Sequence, residues 1–213
     1  GYFSSNSVTL PWAEKTGNLT MISDAVVHSI IYDEKLGKAT GVRVIDAKTM
    51  KATEYFAKVI FLNAAALNSN LILLNSTSSR FPNGLGNDSG LLGKYVAFHN
   101  YRSRVSGKYD GYLDKTTDGR SPTSGYIPRF RNLGGNTDTK KFKRGYGYQG
   151  GATRSSISEL VAELKYGPEL KEAILKPGEW NITLTGFGET LPDHSNRMYL
   201  DYEKLDEWGL PTV

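Results

Sequence analysis

From Asn18 to Asn63 apolar and polar residues alternate in short β-branched runs broken by turn formers. Leu19 to Ile22, Ala25 to Tyr32, Thr40 to Ile45 and Thr53 to Ala57 read as strands. Asp33-Glu-Lys-Leu-Gly37 and Asp46-Ala-Lys-Thr-Met50 supply the turns between the last three, which predicts an antiparallel meander. Val59-Ile-Phe-Leu62 is apolar without alternation, the pattern of a strand buried on both faces in a parallel sheet. The small residues Asn63-Ala-Ala-Ala66 lead from it toward a helix. Asn68 or Ser69 is its expected cap, and Leu71, Leu73 and Leu74 carry it to Asn75.

Residues 77 to 93, rich in Gly, Asn and Ser, predict a loop, and a domain boundary is placed near residue 95. Beyond it Tyr101 to Val105, Gly125 to Phe130, Gly145 to Gln149, Asn181 to Thr185 and Arg197 to Asp201 are strand candidates. A helix pair lies between them. Ser156-x-x-Glu159 is a capping box before Leu160 to Leu164, and Pro168 opens a second helix that Pro177-Gly178 ends. Strands grouped with a few helices, without strict βα alternation, predict an α+β fold: an antiparallel sheet with helices on one face, in a domain spanning 96 to 213.

At 213 residues a real hydrophobic core is expected. The formal charge is +4, and the one dense basic cluster, Lys140-Lys-Phe-Lys-Arg144, reads as a solvated loop. No basic stripe with interleaved stacking aromatics is present, so a nucleic-acid partner is not expected. The absence of cysteine excludes disulfides, thiol nucleophiles and Cys-based zinc sites. No window reaches the apolar length of a membrane span, and the cytoplasm and the periplasm both remain open.

The spacing G-x-G-x-x-G occurs at Gly145, Gly147 and Gly150. A dinucleotide fingerprint requires an apolar strand before the first glycine and a helix at the last. Here Asp138-Thr-Lys-Lys-Phe-Lys-Arg144 precedes it, and Tyr146, Tyr148 and Gln149 fill the intervening positions. The stretch therefore reads as a strand with Tyr146 and Tyr148 on one face and Gly145, Gly147 and Gln149 on the other. His28 reads as a structural mid-strand histidine and His194 as part of an exposed turn. For His99 structural and functional roles are both open. Glu189 is read as structural.

Several stretches, taken in order, resemble the glucose-methanol-choline (GMC) family of flavoprotein oxidoreductases. They are Thr16-Gly-Asn-Leu-Thr20 with Asp24-Ala-Val-Val-His-Ser-Ile30, Ala39-Thr-Gly-Val-Arg-Val44, and the run from Val59 to Ser76. Phe81 to Gly93 with the junction at His99, Tyr126 to Leu133, Gly145 to Gly151, Gly186 to Pro192 and Asp206 to Pro211 complete the resemblance. The stretches from Tyr126 onward are similar to the sugar-oxidising and sugar-acid-oxidising branch. The resemblance implies an incomplete piece of an FAD-binding α/β domain over 1 to 95, containing the meander, followed by a substrate-domain-like sheet. It implies FAD as cofactor and an alcohol, sugar or sugar acid as substrate, with hydride passing to the flavin.

By the same resemblance the backbone at Val27 meets the adenine, and Ala64 and Ala65 lie near the phosphate or ribose. Where the family commonly has glycine, this chain has Ala65; at the family's "DH" site it has Phe98-His99. His99, Tyr146 and Tyr148 are the substrate or junction candidates. Neither the nucleotide fingerprint nor the catalytic histidine pair is found in the 213 residues, so no catalytic residue is assigned. The expectation is a central fragment, inactive alone, with little bound flavin and exposed edges that favour self-association. The competing reading is a carbohydrate-binding or protein-interaction module whose tyrosines stack on sugar rings.

Overall fold

A computed structural model describes residues 3–115, 124–154, 166–175 and 178–213. The residues form two compact units: 1–96 with 194–213, and 97–193.

In the first unit a π-helical turn, Ser5–Thr9, runs into α1, Leu10–Lys15. The expected meander follows as β1 (Ala25–Asp33), β2 (Lys38–Asp46) and β3 (Ala52–Phe56), antiparallel in the order β1-β2-β3. Its turns form for the reason the sequence suggests. The Asp33 carboxylate accepts the Lys35 and Leu36 amides, and that of Asp46 accepts the Lys48 and Thr49 amides. These bonds hold the Asp46 carboxyl below the usual carboxylate range. β1 carries a bulge at His28, with Val27 opposite Val44 and Ser29 opposite Arg43.

Against β1 packs the end of α2, Ala65–Asn75, through the buried Ile72. The Asn75 side-chain amide donates to the His28 carbonyl at 3.0 Å, and the Ile30 amide donates to Ser76 Oγ at 2.7 Å. Polar side chains thus occupy backbone groups along the outer edge of the meander, which otherwise would be open for pairing. The last residues add β8 (Asp201–Leu205) and β9 (Pro211–Thr212), over Leu210, which is only 2% exposed.

Four expected elements differ. Val59 to Leu62 is not a strand, and Val59 and Phe61 stand exposed. A strand buried on both faces needs neighbours to take its backbone bonds, and none of the described strands lies beside it. Leu19 to Ile22 is likewise irregular; the left-handed backbone of Asp24 (φ 53°) separates it from β1. α2 begins at Ala65, before the expected cap, with no side-chain cap. Arg197 makes one isolated bridge to Lys94, and the following strand starts only at Asp201.

The second unit is a four-stranded antiparallel sheet in the order β4-β7-β6-β5. Its strands are β4 (His99–Tyr109), β5 (Gly125–Ile127), β6 (Gly147–Arg154) and β7 (Trp180–Glu189). α3, Pro168–Leu175, begins at the expected proline. The first helix of the expected pair, with its capping box, lies outside the described residues. Mostly antiparallel sheets with few helices make the fold α+β. Among the described residues no helix is long and apolar enough to cross a membrane.

Candidate functional site

The pleat of the four-stranded sheet sorts its residues into two faces. Gln149 stands opposite Tyr126 on one side and Thr185 on the other, and Thr185 opposite Arg104. Two positions along, Gly147 opposes Phe187, and beyond it Glu189 opposes His99. His99, Tyr126, Gln149, Phe187 and Glu189 consequently share one face, where they line an open cleft of about 620 Å³. Arg129 and Arg144, from the segments flanking β5 and β6, complete its rim.

The chemistry of the cleft is hydrogen bonding and charge around one aromatic floor. The His99 ring meets the Phe187 ring edge to face, with centroids 5.8 Å apart. Arg144 Nη1 donates to Glu189 Oε2, so that pair is internally neutral. Tyr126 and Gln149 present a hydroxyl and an amide, groups that donate and accept at once, as ligand hydroxyls require.

Tyr146 and Tyr148 belong to the opposite face, as the alternation predicts, and the structure therefore does not bring them together with His99. Tyr146 covers Gly188, where a Cβ would come within 2.6 Å of its ring. Tyr148 stacks on Phe130, centroids 6.1 Å apart and planes 23° from parallel. That face also carries Val105, Ile182 and Leu184, an apolar set.

Sequence reasoning missed Tyr126, Arg129 and Gln149 as cleft residues. Tyr126 and Gln149 reach the cleft through strand pairing between distant segments, and Arg129 follows two residues after β5, an arrangement no local pattern encodes. The available signal was the glycine alternation itself, since Gly145 and Gly147 leave room on the cleft face for large cross-strand neighbours.

In the first unit Val27 is half-buried in β1, next to the His28 carbonyl that Asn75 holds at the C-terminal end of α2. Ala64 and Ala65 lie at the N-terminal end of the same helix, about 15 Å away along its axis at 1.5 Å per residue. Ala65 has φ 59°, the left-handed region that favours glycine. The first amides of α2 have no side-chain cap. One end of the helix thus offers small residues with uncapped amides, which carry the positive end of its dipole, and the strand beside the other end is extended.

The remaining histidines have local partners. His28 Nδ1 lies 2.9 Å from Ser29 Oγ, and burial, with Arg43 beside it, lowers its pKa from the ordinary imidazole value. His194 Nε2 lies 3.0 Å from Lys94 Nζ, and Tyr95 meets its ring edge-on. Among the described residues no group of three or more His, Asp or Glu is arranged to hold a metal ion.

Known proteins are similar to this sequence. Residues 3–99 match the profile of the family described as GMC oxidoreductase. A 2-methyl-1,2-propanediol dehydrogenase of Mycolicibacterium austroafricanum is 30% identical over 189 residues, covering 84% of this chain and 33% of that protein. A fructose dehydrogenase large subunit of Gluconobacter japonicus is 25% identical over 199 residues, 93% of this chain and 35% of its own length. The chain spans about a third of the length of these curated relatives. With the profile matched over residues 3–99 and two relatives aligned over 84% and 93% of its length, the chain belongs to the GMC oxidoreductase family.

Proposed function

We propose that this chain forms part of an FAD-dependent oxidoreductase that removes hydride from the carbinol carbon of an alcohol, sugar or sugar acid. The family match over residues 3–99 carries this reading. The diol and sugar dehydrogenases among its relatives support the substrate class.

In this reading the first unit is a piece of the flavin-binding domain. The Val27 backbone holds the adenine, and the uncapped amides after Ala64 and Ala65 hold the phosphate or ribose side. FAD, when bound, accepts the hydride. The second unit is the substrate-binding sheet. Tyr126 and Gln149 orient substrate hydroxyls, Phe187 supplies an apolar wall, and His99 stands at the rim, where it positions substrate. The opposite face carries the apolar Val105 and Ile182, and Tyr146 and Tyr148 support the sheet from that side. No residue is assigned to the family's catalytic pair, and the chain by itself is expected to turn over no alcohol. Exposed Val59 and Phe61 favour self-association of the isolated chain.

The test is residue-resolved. In an amide-correlation NMR titration with a neutral polyol such as glucitol, saturable shifts are expected at Gly147, Gln149, Phe187 and Glu189. Shifts confined to the opposite face, at Val105 and Ile182, would move the substrate site off this cleft.

A further inference from the structure

The two glycines at 145 and 147 cradle no phosphate, yet they have a steric task on the cleft face. A Cβ on Gly145 would come within 2.6 Å of Arg129 Cγ and 3.2 Å of its Cδ. One on Gly147 would come within 2.6 Å of the Tyr126 hydroxyl and 3.0 Å of its Cε2. Both side chains lie across strand positions that only glycine leaves open, and both line the same cleft.

The charge balance of that cleft is uneven. Arg144 and Glu189 cancel each other. Arg129 makes no ion pair among the described residues. One uncancelled guanidinium therefore stands beside the neutral hydrogen-bonding groups of Tyr126 and Gln149. Its planar fork matches a carboxylate through two parallel N–H···O bonds, and such charge-assisted pairs are about twice as strong as neutral ones.

We infer that the cleft takes a polyhydroxy carboxylate, its carboxylate on Arg129 and its hydroxyls on Tyr126 and Gln149, with Gly145 and Gly147 as the seats for the two side chains. This rests on the cleft being the substrate site, as proposed above, and selects sugar acids within that class. The arginine is exposed, so the preference weakens as salt rises.

Isothermal titration of the full chain with gluconate and with glucitol, its neutral counterpart, tests this. At low salt the acid is expected to bind about tenfold tighter than the polyol. Arg129→Gln removes that preference, and Gly145→Ala, which pushes the Arg129 stem off its seat, reduces it. Arg129→Lys keeps the charge without the fork and retains part of it. Far-UV circular dichroism confirms that the variants are folded, and the comparison of two ligands on one variant corrects for any loss of active protein. Equal affinity for acid and polyol in the parent overturns the inference while leaving the polyol cleft in place. A preference that survives Arg129→Gln overturns the role of Arg129. Binding of neither ligand overturns the reading of the cleft on which the inference stands.

Discussion

Replacing Gly150 by alanine inserts a methyl group into the seam between β6 and β7. Gly150 stands opposite Leu184. A Cβ there would overlap the Thr183 carbonyl oxygen, and would lie 2.8 Å from Leu184 Cδ2 and 2.9 Å from Leu184 Cα. Most of these obstacles are backbone, which cannot swing aside as a side-chain tip does, so the strands must part by about an ångström. An N–H···O bond lengthened that far is lost. Two ladder bonds at about 1 kcal/mol each, with the overpacking strain, put the cost at about 3–5 kcal/mol, roughly 150- to 5,000-fold in the folded-to-unfolded ratio. Gly151 is the internal control, since a Cβ at that position meets nothing within 4 Å. Gly151→Ala should be neutral or stabilising by up to about 1 kcal/mol, because alanine costs less chain entropy in a strand. Urea unfolding followed by tryptophan fluorescence compares the two. Equal midpoints for Gly150→Ala and the parent, or equal losses for both variants, would refute the steric account of this glycine. Reduced flavin uptake with unchanged stability would revive the phosphate-loop reading of the motif.

Two further outcomes concern the first unit. Ala65→Gly removes the Cβ strain of the left-handed backbone at φ 59° and should raise its stability by about 1 kcal/mol, read as a higher urea midpoint; an unchanged or lower one would contradict the strain argument. Burial and the neighbouring Arg43 hold the folded pKa of His28 below its unfolded value of about 6.5, so the unfolded chain binds more protons near that pH. The contribution is full above the unfolded pKa and is lost as pH falls through the folded one. The urea midpoint should therefore drop on acidification below about pH 6.5, and His28→Gln should flatten that slope; an identical slope in the variant would count against it.

The parts of the fold written in local patterns were legible. The meander followed from β-branched runs and from aspartates placed to cap their own turns, and Pro168 marked the start of α3. Val59 to Leu62 was misread because an apolar run reports only a preference for burial. Whether it becomes a strand depends on neighbours elsewhere in the chain. The start of α2 was misplaced for a related reason: Asn68 and Ser69 have capping side chains, yet the backbone turns at Ala64 and Ala65 without one. At the cleft, alternation gave the two faces of Gly145 to Gln149 correctly. It could not say which face meets His99. That is fixed by the register of β6 against β7 and of β7 against β4, pairings that span tens of residues. The seating of Arg129 and Tyr126 on two glycines is equally non-local, and it explains a spacing that otherwise imitates a nucleotide loop.

The central proposal is that the flavin nucleotide is held by the first unit and not by the glycines at 145, 147 and 150. Photolabelling the chain with an 8-azidoadenine analogue of FAD, followed by peptide mapping, tests it most directly, because the azide reacts where the adenine sits. The label is expected on the β1 peptide containing Val27 and should disappear when excess FAD competes. Label on the peptide containing Gly145 to Gly150, or labelling that FAD does not suppress, would contradict the account.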